Sequence, residues 1–413
     1  MSQIISLSKS KVLAMSYKTT TLDAFVTLQR GFDLPAQRRI PGDIPIIAAN
    51  GTVGFHNVAK VNTECVVLGR SGSIGNPQLI EKPFWPLNTT LFVKDFHGNL
   101  PVFVYYVLKT IDFKSFDAGG TVPTLNRNHL TQIEVPLLDL TTQEVIGGVL
   151  QNLDSKIATN NALSKTLEEI VQTLFKSWFI DFDPVRANMA GEKPKGMDAA
   201  TAALFPDAME ESELGMIPKG WKIGGLNDIA KTRKELAKVA SLDAQINYVG
   251  LEHLPRNSLF FRTWSTAERV QSGKTYFKRN DILFGKLRPY FHKVVVSPID
   301  GVCSTDIVVI QSFDSELDPY TASLVNLNEF VAFVTNRSSG TRMPRTSWQE
   351  MCEFKILIPG FDLILKFNEL MRPLFLQALS ANLESNNLED IRNALLPRLI
   401  SGDLQIPEEM LAS

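Results

Sequence analysis

Apolar residues recur at alternating steps of four and three from Ile146 onward, through Leu150, Leu153, Ile157, Asn160, Ser164, Leu167, Val171, Leu174 and Trp178. Interrupted only by Asn160 and Ser164, this is a heptad seam, and it predicts one long helix. The same spacing returns 221 residues later in Phe367, Met371, Leu374, Ala378, Ala381, Ser385, Leu388, Arg392, Leu395 and Leu399. A helix of about 40 residues is about 60 Å long and cannot bury its stripe against itself, so each seam needs a partner, most simply the other. Asn160 and Ser164 facing Ser385 or Arg392 would cost stability but pin the register of such a pair. An ordinary amphipathic helix docked on a globular domain is the plainer alternative.

Outside the seams the period shortens. Gly42–Ile47, Cys65–Gly69 and Thr90–Val93, then Asp281–Phe284, Val294–Val296 and Asp306–Ile310, are short β-rich runs with turn residues between them. Leu100–Leu108 and Tyr320–Val334 read as short helices, so each of these segments is an α+β domain. The expected order is a first domain over 1–140, a long helix over 141–185 and a connector over 186–216, then a second domain over 217–360 and a second long helix with tail over 361–404. The connector is rich in Gly, Pro, small and acidic residues around an embedded short helix, and Gly215–Trp221 announces the next domain.

The halves are related in sequence as well as in pattern. Leu167-Glu168-Glu169-Ile170 matches Leu388-Glu389-Asp390-Ile391 and Asn161 matches Asn382, both at an offset of 221. Gly120-Thr121-Val122-Pro123 resembles Gly340-Thr341-Arg342-Met343-Pro344 with a one-residue gap, whereas Tyr17-Lys18, Leu22 and Phe25 match Trp221-Lys222, Leu226 and Ile229 at an offset of 204. The basic segments therefore differ in length while the helices hold register. Charge follows the same division. A net charge of −2 conceals +3 over 1–140, −5 over 141–220, +4 over 221–360 and −4 over 361–413. Two phosphate-facing surfaces fit inside that near-neutral total, because counterion release depends on local cation clusters.

Composition removes other classes. With 413 residues, 44% apolar and 21% charged, and with 25 Gly and 22 Pro, the chain is neither collagenous nor disordered. Cys65, Cys303 and Cys352 lack CxxC spacing and an even count, which argues against disulfides and zinc and fits a reducing cytoplasm. No stretch approaches the roughly 18 apolar residues of a membrane span, and Lys9 and Lys11 interrupt any signal-peptide core.

Catalytic signatures fail one by one. Gly69-Arg70-Ser71-Gly72-Ser73-Ile74-Gly75 resembles a phosphate loop, but Asn76-Pro77 follows where a helix should open, so a β-turn or DNA-facing loop is expected. Gly273-Lys274-Thr275 has Glu268 where a P-loop needs its first glycine. The five histidines never form HExxH, and no Asp/Asn-Pro-Pro-Tyr amino-methyltransferase motif occurs. Asp112-Phe113-Lys114 and Glu353-Phe354-Lys355 lack the upstream carboxylate of a metal nuclease and read as solvated strand residues.

Two basic α+β domains, each ending in Gly-Thr-x-(x)-Pro and each followed by a heptad helix, resemble the specificity subunit of type I restriction-modification systems over nearly the whole chain. Its most specific strings are Leu174–Pro184 and Leu395–Gly402, which close the helices, with Asp281–Tyr290 and Arg70–Gly75 inside the recognition domains. The first domain departs from the pattern in opening with Tyr17 where a Trp, as at Trp221, is usual. The resemblance implies a non-catalytic reader of double-stranded DNA, each domain taking half of a split, asymmetric site. It also implies helices pairing as an antiparallel coiled coil, two adenine methyltransferase subunits docked on them, and motor-nuclease subunits joining for cleavage. No cofactor belongs to this chain on that reading; S-adenosylmethionine, ATP and Mg belong to the partners. A spacer of at most about 60 Å spans at most about 18 base pairs at about 3.4 Å each, so spacing should follow helix length.

DNA-contact residues are expected in loops. Arg70, Ser71 and Ser73 sit in a glycine-flanked turn, and Asn50, Thr52 and Asn88 are short donors or acceptors in adjacent loops. In the second domain Lys286, Arg288, Tyr290 and His292 are expected to alternate along one face of a strand, with Arg342 and Arg345 flanking the Gly-Thr turn. Thr121, with Gly120, and Thr341, with Gly340, serve as structural turns or as contacts. The expected pairing seam comprises Leu150, Leu153, Ile157, Asn160, Leu167, Leu174, Leu374, Ser385, Leu388 and Leu395. A protein-binding scaffold without DNA, or a fused methyltransferase or nuclease, are the alternative functions.

Overall fold

The two hydrophobic periods take the two backbone states they favour, strands within the basic segments and helices along the seams. A computed structural model describes residues 17–117, 123–238, 240, 242–340 and 343–411. They divide into two compact units, one from the described residues of Met1–Lys156 and Leu388–Ser413, the other from those of Ile157–Asn387.

In the first unit the chain lays down β1 (Thr19–Thr21), α1 (Leu22–Phe25), β2 (Thr27–Arg30), β3 (Ile44–Ala48), β4 (Gly51–His56), β5 (Cys65–Gly69), β6 (Gly75–Ile80), β7 (Trp85–Pro86) and β8 (Thr90–Asp95). Then come α2 (Pro101–Thr110), β9 (Glu134–Pro136) and the start of α3 (Leu140–Phe179). An antiparallel sheet of order β2-β8-β5-β6 is the centre, with β4-β3-β7 as a second sheet and β1-β9 as a pair. The centre is buried on both faces, which is why β5 reads as an unbroken apolar run. Its core of Val66, Val67, Leu91, Phe103 and Val107 extends to Ile146 and Leu150 of α3 and to Leu399 and Ile400.

The second unit takes the rest of α3, then α4 (Asp183–Met189), α5 (Ala199–Ala202), the hairpin β10 (Met209–Ser212) and β11 (Gly215–Pro218), β12 (Lys222–Gly224), β13 (Ala230–Thr232), β14 (Leu236–Ala237) and β15 (Asn247–Val249). There follow β16 (Ser265–Thr266), β17 (Lys274–Phe277), β18 (Ile282–Gly285), β19 (Val294–Val296), β20 (Gly301–Cys303) and β21 (Ile307–Ser312). The segment closes with α6 (Asp318–Val325), α7 (Asn328–Arg337), α8 (Trp348–Cys352), β22 (Ile356–Ile358) and α9 (Phe361–Ser401), the last contributed as far as Asn387. Its central sheet, β13-β21-β18-β19, repeats the β2-β8-β5-β6 order, and β12-β22 repeats β1-β9. The second sheets differ, three strands against the five of β14-β17-β20-β15-β16. The two additional strands lie within the stretch over which the offset between the halves grows most.

Within each unit α3 and α9 pack antiparallel, the orientation expected of the pair. In the first, Arg392 of α9 pairs with Asp154, which also accepts from the Tyr106 hydroxyl at 2.8 Å. In the second, Asn160 Nδ2 donates to Glu384 Oε2 at 2.8 Å and Asn382 Nδ2 to Ser164 Oγ at 2.8 Å. The polar layer thus exists with partners other than those expected: Ser385 reaches Asn161 at 3.4 Å and Arg392 serves Asp154, because antiparallel pairing sets Asn160 and Ser164 opposite residues 382–384. Leu150, Ile157, Asn160, Leu167 and Ser385 are buried and Leu153, Leu174, Leu374, Leu388 and Leu395 half-buried. Each buried aliphatic side chain stabilises by about 1.5–3 kcal/mol. Near the end of α3 the seam widens into an aromatic cluster, with Phe175 and Phe179 at 5.7 and 5.1 Å from the Phe367 ring.

Three local expectations are corrected. The first long helix stops at Phe179 rather than running to 185: Phe182 adopts φ 56° and Pro184 opens the separate helix α4. The connector holds the β10–β11 hairpin besides short helices. Asp112 caps a 3-10 turn by accepting from Lys114 N, and Glu353 follows α8 and pairs with Arg337, so neither stands on a strand.

Candidate nucleic-acid interface

In the first domain the chain leaves β5 at Gly69, opposite Thr90 of β8. A Cβ there would lie 1.7 Å from the Ser73 carbonyl oxygen and 3.2 Å from Ala49 Cβ, so only glycine permits the loop to fold back on the β3–β4 turn. The Arg70 and Ser71 amides donate to Thr89 O at 2.8 and 3.1 Å, the Gly72 amide to Pro123 O at 3.0 Å, and the Leu125 amide to Arg70 O at 2.8 Å. The backbone is therefore held from both sides, by the residue before β8 and by the segment around Pro123. Its side chains are left to do other work. Among the described residues Arg70 Nη1 makes only a 3.4 Å contact to Asn88 O, the Asn88 amide donates to the Asp33 carboxylate, and Ser73 is exposed. Asn50 is exposed on the turn beside Ala49, and Thr52 stands exposed on edge strand β4 rather than in a loop. Thr121 lies outside the described residues.

The second domain builds the same clamp with different side chains. Past Gly285, opposite Ile307, the Lys286 amide donates to Asp306 O at 2.9 Å, the Arg288 amide to Pro344 O at 2.7 Å, and the Thr346 amide to Lys286 O at 3.0 Å. Lys286 stands where Arg70 stands, Arg288 where Gly72 stands, and Pro344 where Pro123 stands. Gly72 has φ 86° and Arg288 φ 53°, so both loops turn through the left-handed region, at a strain cost only the arginine bears.

The expected strand over 286–292 is not formed. Pro289 cannot donate to a ladder and opens a 3-10 turn over Pro289–Phe291, bracketed by left-handed Arg288 and His292. The four residues consequently do not share one face. Lys286 and Arg288 join Arg345, whose Nε donates to Asp306 Oδ1 at 3.1 Å. Tyr290 is exposed with its edge on Phe291, itself covered by Arg256 at 3.9 Å. His292 turns inward to Asn326, 2.9 Å from its side-chain oxygen, and so closes α6. Arg342 lies outside the described residues. Burial, and after it Arg256, pushes the Lys293 ammonium below its usual range. Arg288 Nε is enclosed without a partner among the described residues, a donor still to be satisfied.

Sequence reasoning missed Thr89 and Asp306, whose backbone carbonyls hold the loops, since a carbonyl acceptor leaves no trace in residue type. What the arrangement offers is a pinned loop at one sheet end in each domain, presenting Arg70 with the Ser71 and Ser73 hydroxyls in the first and Lys286, Arg288 and Arg345 in the second. Those are the groups that hold phosphates and read base edges.

Comparison with known proteins agrees with this geometry. Residues 16–169 match a family model described as type I restriction modification DNA specificity domain. Over 95% of its length the chain is 24% identical to the EcoDI specificity subunit of Escherichia coli, covering 89% of that protein. It is 26% identical over 75% of its length to the type I MjaIX specificity subunit of Methanocaldococcus jannaschii, covering 71% of it. The HindI specificity subunit of Haemophilus influenzae is 23% identical over 74% of this chain and 78% of its own. The fold is that of the type I system S subunit from M. genitalium, with TM-score 0.64 at 16% identity, covering 97% of this chain and 99% of that one.

Proposed function

We propose that this chain, which belongs to the specificity subunits of type I restriction-modification systems and is itself non-catalytic, reads a bipartite, asymmetric DNA site with one half taken by each recognition domain. It directs adenine methyltransferase and ATP-dependent restriction subunits to that site, in the cytoplasm. S-adenosylmethionine, ATP and Mg then belong to those partners. The observation that carries the reading is the doubled clamp: the same main-chain hydrogen bonds hold a cationic loop at the end of the same strand in both domains, while the side chains differ. A duplicated scaffold with diverged loops suits two half-sites of different sequence. The matched DNA specificity domain supports the DNA-recognition part of this reading.

The test is methylome sequencing of a host that carries the complete system. One N6-methyladenine motif of two specified blocks with an unspecified gap is expected, vanishing when this chain is deleted. A motif that persists without the chain, or one without a gap, contradicts the reading.

A further inference from the structure

We infer that Arg30 and Arg70 in the first domain, and Lys234 and Lys286 in the second, are matched clamps on the phosphate backbone, while Gly72/Arg288 and Thr124/Arg345 carry the choice of sequence. The inference rests on the DNA-reading function proposed above and assigns roles within it.

The two domains serve as each other's control. In the first, Arg30 of edge strand β2 stands opposite Leu91 of β8, and Leu91 is followed in the other direction by Leu68 of β5. In the second, Thr232 stands opposite Ile310 and the Arg233 amide donates to Val309 O at 2.9 Å, which brings Lys234 level with Val308, itself opposite Phe284 of β18. Lys234 thus holds the register of Arg30, at the same 204-residue offset that relates Tyr17 to Trp221. Arg70 and Lys286 are matched by their donation to Thr89 O and Asp306 O. Each domain therefore places one cation at the end of its edge strand and another two strands across, at the same end of the sheet. Two strand spacings are about 10 Å. That is close to the width of a major groove, about 12 Å, so the pair can straddle one.

All four cations are available. Among the described residues Arg30 Nη2 has only Asp33 Oδ1 at 3.4 Å, with side chains 51% and 69% exposed, a pair worth little against a phosphate. Among the described residues neither Lys234 nor Lys286 has a side-chain partner. Their neighbours have diverged: Gln29 occupies the register that Arg233, bound to Asp281 at 2.9 Å, holds in the second domain, and Thr124, bridged to Ser71, the place that Arg345, bridged to Leu287, holds there. Half-sites of different sequence share only their sugar-phosphate backbone. A charge kept at one register in both domains fits that shared element, and a side chain that changes fits the bases.

The test titrates binding against salt for the full chain assembled with its methyltransferase subunits, on cognate and scrambled duplexes. Arg30→Gln, Arg70→Gln, Lys234→Gln and Lys286→Gln should each flatten the slope of log K against log salt by about 0.9, equally on both duplexes. Lys234→Arg should restore it, which separates lost charge from lost folding. Arg288→Gly and Arg345→Thr should instead lower the cognate-to-scrambled ratio by at least tenfold. Lys222→Gln, a second repeated lysine exposed on β12 beside the start of α9, should leave the slope unchanged. Unchanged slopes for the four clamp variants, or an equal fall for Lys222→Gln, overturn the inference while leaving DNA reading intact. Wild-type assemblies that show no salt-dependent preference for any duplex overturn both.

Discussion

Replacing Glu168 with alanine should loosen one identifiable amide. Glu168 lies on the buried face of α3, and its Oε1 accepts from the Leu259 backbone N–H at 2.6 Å while Oε2 accepts from the Ser258 hydroxyl at 3.1 Å. Leu259 is fully enclosed, so its amide has no water to turn to, and leaving it unpaired costs about 1–3 kcal/mol. The Ser258 hydroxyl also lies 3.2 Å from Phe260 O and loses less. Removal of a buried carboxylate returns part of the cost, since desolvation, followed by Glu169, holds the Glu168 carboxyl above its ordinary range. A net loss of about 2 kcal/mol makes the Leu259 amide exchange about 30-fold faster in native-state hydrogen exchange. Glu168→Gln keeps an acceptor and should cost half as much or less. The sign of the pH dependence follows from the raised carboxyl. The folded form takes up its proton at higher pH than the unfolded chain, so wild type gains stability relative to Glu168→Gln as pH falls from neutral toward the ordinary carboxylate value of about 4.3. Identical Leu259 exchange in wild type and Glu168→Ala would refute the reasoning.

Two further perturbations probe the helices and the loop. Leu167→Asp sets a carboxylate in the buried seam and should cost more than about 4 kcal/mol, read as a lowered melting temperature and loss of co-purifying methyltransferase subunits; wild-type melting and yield would contradict a buried seam. Gly69→Ala forces a Cβ within 1.7 Å of Ser73 O and should displace the loop, weakening DNA binding at least tenfold. Gly98→Ala, at φ 83° with open space around it, should cost only about 1 kcal/mol and spare binding. Equal binding by both variants would show the loop to be uninvolved.

The seams, the strand runs and the duplication were legible because each rests on a period or an offset, which survives when individual residues change. Leu150, Ile157 and Leu167 are buried as their spacing predicts, and β5, β8, β18, β19 and β21 of the central sheets fall on expected apolar runs, whereas the edge strands β2, β6 and β13 do not. What pairs across the helices was legible only as a layer. The partners of Asn160 and Ser164 depend on a register that α9 sets by its whole packing face, so a single polar spacing could not name Glu384 and Asn382. The 286–292 segment misled because alternation of Lys286, Arg288, Tyr290 and His292 imitates a strand. Pro289 denies the ladder its donor, and the decisive bond, from Arg288 N to Pro344 O, joins residues 56 positions apart. Arg30 and Lys234 carry no local motif and emerge only when the halves are superposed strand by strand.

Selection from a random-sequence DNA library, run in parallel with wild-type, Thr124→Ala and Arg288→Ala assemblies, addresses the division of labour between the domains directly. Two specified blocks should emerge for wild type, Thr124→Ala degrading only one and Arg288→Ala only the other. Both variants blurring the same block, or neither altering the selected sequence, would contradict the account.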